Sequence, residues 1–170
     1  MTSATETRAP ATTQVYRIYI KATPEAVWDA IIKPEWTAKY GYSGLAEYDL
    51  RPGGAFRQTP GAAMKAYPGV PDIIVDGEVI EADPPRKLVQ TWRLLMDPDI
   101  MAEGFTRLTH EITQIQGGAT RLTVIHELAG APKLAALVAG KQESQGAGGG
   151  WAWVLSDLKS LLETGSILAS

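Results

Sequence analysis

The sequence contains no cysteine, and this absence excludes three kinds of chemistry. Disulfide cross-links, thiol catalysis and cysteine-ligated zinc all require a thiol or thiolate. Histidine is scarce as well: the chain has two, and they form neither an HxH nor an HExxH spacing. We therefore predict no metal and no cofactor.

An excess of charge of one sign and a long apolar run are also missing. The 16 basic and 19 acidic residues are interspersed and give a net charge of −3, so no basic stripe is available for a nucleic-acid backbone. No stretch has the length of a membrane-spanning helix, and residues 1–13 lack the basic start and apolar block of a secretory signal. We expect a cytoplasmic protein with no nucleic-acid partner and no membrane insertion. Its disordered tail should cover residues 1–13, and a single domain residues 14–170.

The strongest pattern present is an amphipathic helix between Gly148 and Gly165. Its apolar positions recur every three or four residues, at Trp151, Val154, Leu155, Leu158, Leu161 and Leu162. Its polar positions fall on the other side, at Ser156, Asp157, Lys159, Ser160 and Glu163. Such a helix must lie on an apolar surface. Plain core packing accounts for most of the stripe, and the alternative is that the helix covers a ligand cavity.

Upstream of this helix the pattern changes to period two, which indicates strands. A strand over residues 14–21 precedes two short helices that begin near Pro24 and Pro34, with Thr23 as the cap of the first. Further strands are predicted over residues 45–50, 55–58, 72–82, 87–95, 106–116 and 120–128. Loops are predicted over residues 60–70, 96–104 and 129–149. The last loop includes a short helix over 133–138 and is either a mobile lid or a passive connector.

Both histidines fall on the final predicted hairpin. One strand places Leu108, His110 and Ile112 on its inner face, and the other places Leu122, Val124 and His126 there. A three-residue loop over 117–119 sets His110 opposite His126 and Ile112 opposite Val124, whereas a shift by two residues makes the histidines diagonal neighbours. Either register predicts that both imidazoles lie on one face of the hairpin.

Five segments carry a resemblance to a known superfamily. They are KATPEAVWDAIIKPEW (21–36), DLRPGGAFR (49–57), GEVIEADPPRKLVQTW (77–92), TRLTHEITQIQGGATRLTVIHE (106–127) and GGWAWVLSDLKSLLETG (149–165). In this order they resemble the SRPBCC, or START/Bet v 1-like, superfamily, and within it the bacterial branch named after the activator of the heat-shock chaperone ATPase. The resemblance implies an α+β helix-grip fold. In it, a curved antiparallel sheet of six or seven strands wraps around the long C-terminal helix, with two short helices after the first strand.

The resemblance also implies a cavity between sheet and helix, because members bind lipids, sterols or polyketides there and a minority are cyclases or aromatases. Trp and Tyr combine apolar area with one polar group, as ligand pockets tend to require. Gln90 shares inward strand parity with Trp92 and joins the two histidines as the polar set. The predicted ligand-binding residues are Trp28, Trp36, Tyr40, Gln90, Trp92, His110, Ile112, Val124, His126, Trp151, Trp153, Leu155 and Leu158.

Three functions remain open from the sequence. The first is a non-enzymatic protein that shelters an apolar or aromatic small molecule. The second is a cyclase, dehydratase or isomerase that uses His110 or His126 as a general base. The ordinary alternative for these two residues is that they are buried histidines with no chemical role. The third is an interaction module, either a homodimer or a chaperone-associated factor, that uses an aromatic surface near Trp36–Tyr42.

Overall fold

The computed structural model describes residues 12–168 and has the predicted α+β helix-grip architecture. Its strands are β1 (Thr13–Ile20), β2 (Leu45–Tyr48), β3 (Ala55–Thr59), β4 (Val75–Asp83), β5 (Lys87–Leu94), β6 (Thr106–Gln114) and β7 (Thr120–Glu127). Its helices are α1 (Pro24–Ile32), α2 (Pro34–Thr37), α3 (Ala62–Lys65), α4 (Pro98–Met101), α5 (Pro132–Val138) and α6 (Gly150–Thr164). The strands form one curved antiparallel sheet in the order β1-β7-β6-β5-β4-β3-β2.

Helix α6 lies on the sheet through its apolar stripe. Leu155, Leu158 and Leu161 are buried in the main core cluster together with side chains from α1 and the central strands. The helix ends as predicted at Gly165, whose φ of +80° and N–H···O bond of 2.9 Å to Leu161 form a left-handed C-cap. Burial of this stripe, at about 1.5–3 kcal/mol for each large apolar side chain, is what attaches the helix to the sheet.

The first helix begins as its sequence predicts. The Thr23 side chain accepts a 3.1 Å hydrogen bond from the N–H of Ala26, and Pro24 occupies the first helical position. Helices α1 and α2 follow β1 directly. Helix α1 contributes Val27 and Trp28 to the core beneath α6.

The register predicted from a three-residue hairpin loop is wrong by two residues. His110 pairs with Val124, and His126 pairs with Leu108, so the two histidines are diagonal neighbours on one face of the sheet. The loop is longer because Ile115 donates a 2.9 Å hydrogen bond to Ala119, which closes a five-residue connection. Its two glycines adopt φ values of +78° and +76°.

The weakly patterned segments contain short helices. The loops predicted over 60–70 and 96–104 include α3 and α4, and α5 confirms the short helix expected after Pro132. Most of the tail predicted over residues 1–13, namely residues 1–11, lies outside the described part of the chain, and Thr13 already belongs to β1. The single domain over 14–170 stays a prediction.

Asp157 departs from the expected polar face of α6. Its side chain is 2% exposed, and its two carboxylate oxygens accept 2.8 Å hydrogen bonds from the N–H groups of Gly41 and Leu168. Periodicity placed Asp157 toward water, but two backbone donors from distant segments turn it into a buried acceptor. The carboxylate thus connects α6 to the loop after α2 and to the C-terminal segment.

We predict that Asp157→Ala lowers the free energy of unfolding by about 2–3 kcal/mol, because it leaves both backbone N–H groups without their acceptor. Ser156→Ala, at the exposed neighbouring position, is the matched control and should change stability by less than about 0.5 kcal/mol. Urea denaturation followed by circular dichroism measures both values. Equal effects of the two variants would contradict this role of Asp157.

Candidate functional site

A cavity of about 590 Å³ lies between the sheet and α6. Its floor is formed by apolar side chains of β6, β7 and α6, including Leu108, Leu122 and Leu158. Its rim contains exposed residues of the connecting loops, including Tyr42 and Asp97. Most of the lining is apolar, which suits a small organic molecule more than an ion.

The structure divides the residues predicted for the site into two groups. Six line the cavity: Tyr40, Trp92, His110, Trp151, Leu155 and Leu158. The other seven lie outside its lining: Trp28, Trp36, Gln90, Ile112, Val124, His126 and Trp153. Among these, Trp28, Ile112 and Val124 are packed into the core. Gln90 and His126 lie directly behind lining residues and hold them by hydrogen bonds.

His126 is completely buried and has partners at both ring nitrogens. Its Nδ1 accepts a 3.1 Å hydrogen bond from the indole N–H of Trp151. Its Nε2 lies 2.8 Å from the Thr106 hydroxyl, which itself donates to the carbonyl of Trp92 at 2.8 Å. Because the hydroxyl hydrogen is used there, the threonine oxygen accepts from Nε2–H, and the network assigns His126 as the neutral Nε2–H tautomer.

His110, by contrast, has a ring nitrogen without a hydrogen-bond partner in the described residues. Its side chain is 6% exposed and lines the cavity, yet its Nδ1 has no hydrogen-bond partner within residues 12–168. The ring of Trp151 packs nearly perpendicular to it, with ring centroids 6.3 Å apart. A buried polar atom without a partner costs stability and is uncommon in native structures.

Both imidazoles are uncharged at neutral pH. Burial lowers the pKa of His110 to about 4. Burial, with a smaller contribution from the neighbouring His110, lowers the pKa of His126 to about 3. The cause is that a charged ring loses its hydration in an apolar site.

Gln90 is held by Tyr48, a residue that the sequence analysis missed. The Tyr48 hydroxyl donates a 2.7 Å hydrogen bond to Oε1 of Gln90, and its ring stacks on Phe56 at 4.5 Å. The Tyr40 hydroxyl likewise donates to the carbonyl of Ala30 at 2.7 Å. Burial raises the pKa of both tyrosines, so both stay protonated. Inward strand parity with Ala46 was the available signal for Tyr48.

The rim is built by connecting loops from which the sequence predicted no site residue, although segment 129–149 was predicted to be either a mobile lid or a passive connector. The hydroxyl of Tyr42 accepts a 3.0 Å hydrogen bond from the N–H of Gly150 at the start of α6. A Cβ atom at Gly148 would lie 2.5 Å from that hydroxyl, so glycine is required for this approach. Other rim and wall residues from loops and short helices are Met64, Met96, Ile100, Leu137 and Val138.

Two features are absent from residues 12–168. No group of three or more His, Asp or Glu side chains in this range is arranged to hold a metal ion. None of its helices is long and apolar enough to cross a membrane.

The two histidines should respond in opposite directions to the same substitution. We predict that His110→Leu raises the free energy of unfolding by about 1 kcal/mol, because it removes an unpartnered buried polar atom. His126→Leu should lower it by about 3 kcal/mol, because Trp151 Nε1–H and the Thr106 hydroxyl then lose their partner. Urea denaturation at pH 7 of the ligand-free proteins measures both changes. A strong destabilisation by His110→Leu would show that His110 has a structural partner.

Comparison with known proteins agrees with this architecture. Residues 21–163 match the family model described as Activator of Hsp90 ATPase homolog 1-like protein. No curated protein matches the chain. Protein CV1439 from Chromobacterium violaceum is 22% identical with a TM-score of 0.62, and the match covers 89% of this chain and 97% of that one.

Two further solved structures are similar in fold. An HSP90 activator from Plasmodium falciparum is 20% identical, with a TM-score of 0.53 over 69% of this chain and 74% of that one. DynU16, a protein in the dynemicin biosynthetic locus, is 21% identical, with a TM-score of 0.61 over 93% of this chain and 49% of that one. At these identities the likeness shows the fold alone. The family match covers most of the sequence, and the chain belongs to the AHSA1 family of the SRPBCC superfamily.

Proposed function

We propose that this protein binds an apolar or aromatic small molecule, lipid-, sterol- or polyketide-like in character, in the cavity between the sheet and α6. The observation that carries the proposal is the cavity itself, which has a volume of about 590 Å³ and a predominantly apolar lining. Ligand pockets in proteins have volumes of roughly 300–1,000 Å³ and the same balance of many apolar and few polar groups.

Apolar burial supplies the affinity. A ligand that buries about 300 Å² of apolar surface against the aromatic and leucine walls gains about 7 kcal/mol before the cost of association. The flat walls of Trp92 and Trp151 favour ring systems, since aromatic contacts add to area burial. That a structural neighbour is a protein in a biosynthetic locus also supports a role with small organic molecules.

The enzyme alternative depends on a histidine that can take a proton. His126 has no free lone pair, because Trp151 donates to its Nδ1. His110 is available, but burial lowers its pKa to about 4 and makes it a weak base at neutral pH. Binding without turnover therefore fits the site better than general-base catalysis by either imidazole.

The interaction-module alternative depends on an aromatic surface near Trp36–Tyr42. Tyr40 is 9% exposed and faces the core, while Trp36 is half-buried beneath Lys39, whose Nζ lies 4.5 Å from the ring centroid. Tyr42 alone of these aromatic side chains is largely exposed, and it contributes to the cavity rim. These positions favour a role of the segment in lining the cavity over a role in binding a protein partner.

Native mass spectrometry of the purified protein, beside the same sample after denaturing extraction, tests this proposal. We expect a small molecule that is released only on unfolding. Ala46→Phe should abolish the adduct because Ala46 lines the cavity and the added ring fills it. Ala152→Phe, the same change at an exposed position of α6 outside the lining, should keep it. A dimer mass without any adduct, or an adduct that survives Ala46→Phe, would contradict the proposal.

A further inference from the structure

Three polar side chains of the cavity wall already use their hydrogen for a protein partner. The hydroxyl of Tyr40 donates to Ala30, that of Tyr48 donates to Gln90, and the indole N–H of Trp151 donates to His126. Each of these groups has a single hydrogen, so none can donate to a ligand without breaking an internal bond.

His110 also lines the cavity, and it differs from these three side chains. Its Nδ1 is buried without a partner in the described residues, so a ligand in the cavity would contact the ring through Nε2, which is a donor or an acceptor depending on the tautomer. A neutral imidazole carries one N–H donor and one bare nitrogen acceptor, and the two tautomers exchange these roles. The partners of His126 fix its tautomer, whereas nothing at Nδ1 fixes that of His110.

The charges around the cavity restrict the ligand further. Its described lining includes no lysine and no arginine. Asp97 is charged but lies at the exposed rim, where its Oδ1 accepts hydrogen bonds from the N–H groups of Asp99 at 2.8 Å and Ile100 at 3.3 Å. A carboxylate or phosphate on the inner part of a ligand would be buried without a counter-charge, which is costly.

We propose that His110 is the polar anchor of the cavity, and that the ligand is an uncharged, mainly apolar molecule whose inner end carries a hydroxyl or carbonyl oxygen. This inference rests on the proposed function, since it specifies the ligand class of the same site. A hydroxyl donates to the bare ring nitrogen, and a carbonyl accepts from the N–H of the other tautomer. The nearly perpendicular ring of Trp151, 6.3 Å away between centroids, limits the orientation of the imidazole.

Three fluorescent probes that share one ring system test this inference. Pyrene has no polar group, 1-pyrenemethanol adds an uncharged hydroxyl, and 1-pyrenecarboxylate adds a charge. Binding of each probe is measured by fluorescence titration to the wild type, to His110→Leu and to His110→Gln. Glu111→Gln, at the next position of β6 and outside the cavity lining, is the control. Thermal unfolding confirms that each variant is folded.

The quantity that decides is the preference for the alcohol, defined as the ratio of the Kd of pyrene to that of 1-pyrenemethanol. We expect His110→Leu to lower this ratio about tenfold and to leave pyrene binding intact, because only the hydroxyl loses its partner. His110→Gln, which keeps a donor and an acceptor, should retain most of the preference, and Glu111→Gln should retain all of it. The carboxylate should bind the wild type at least about 100-fold more weakly than the alcohol.

The failure of the inference and that of the proposed function give different results. A ratio that is unchanged in His110→Leu, or a carboxylate that binds as tightly as the alcohol, overturns the inference while pyrene binding still supports the cavity. Absence of binding of all three probes to the wild type contradicts the proposed function and the inference together.

Discussion

A short series of hydrogen bonds joins the first turn of α6 to the sheet, and the cavity depends on it. The indole of Trp151 donates to His126, His126 donates to Thr106, and Thr106 donates to the carbonyl of Trp92. The leucines further along α6 attach the helix by apolar burial, which is strong but not directional. The hydrogen bonds add direction, because they fix the rotation of Trp151 and keep its ring as a wall of the cavity.

The two histidines differ in their hydrogen bonding. Because both are uncharged, neither introduces an unpaired charge into an apolar interior. His126 is fully partnered and belongs to the scaffold, whereas His110 keeps an unpartnered nitrogen beside the cavity. The unpartnered nitrogen of His110 lowers the stability of the fold at one position next to the cavity. Local departures of this kind are common at functional sites. Trp151 donates to Nδ1 of His126, and burial lowers the pKa of His110 to about 4, so these two histidines favour the binding proposal over general-base catalysis.

The sequence predicted the elements more reliably than the contacts between them. Period-two patterns turned Gln90 and Trp92 inward and put both histidines on one face, and the 3.6-residue period identified α6. The register of the last hairpin was missed because the bond from Ile115 to Ala119 leaves no compositional trace. Asp157 was predicted to face water because helical periodicity carries no information about its tertiary hydrogen-bond donors, the N–H groups of Gly41 and Leu168. Tyr48 was missed, and the sequence left open whether segment 129–149 is a lid or a connector, because the positions of both depend on tertiary packing.

Nitrogen-15 NMR of the histidine side chains tests whether the tautomer of His126 is fixed while that of His110 is free to change when a ligand binds. We expect His126 to show a single Nε2–H tautomer, and His110 to exchange between tautomers until an uncharged ligand is added and then to adopt one. Both rings should remain uncharged as the pH falls to about 5, since burial lowers their pKa values to about 3 and about 4. Two rings that both titrate near the ordinary histidine pKa of about 6.5, or a locked His110 beside an exchanging His126, would contradict this expectation.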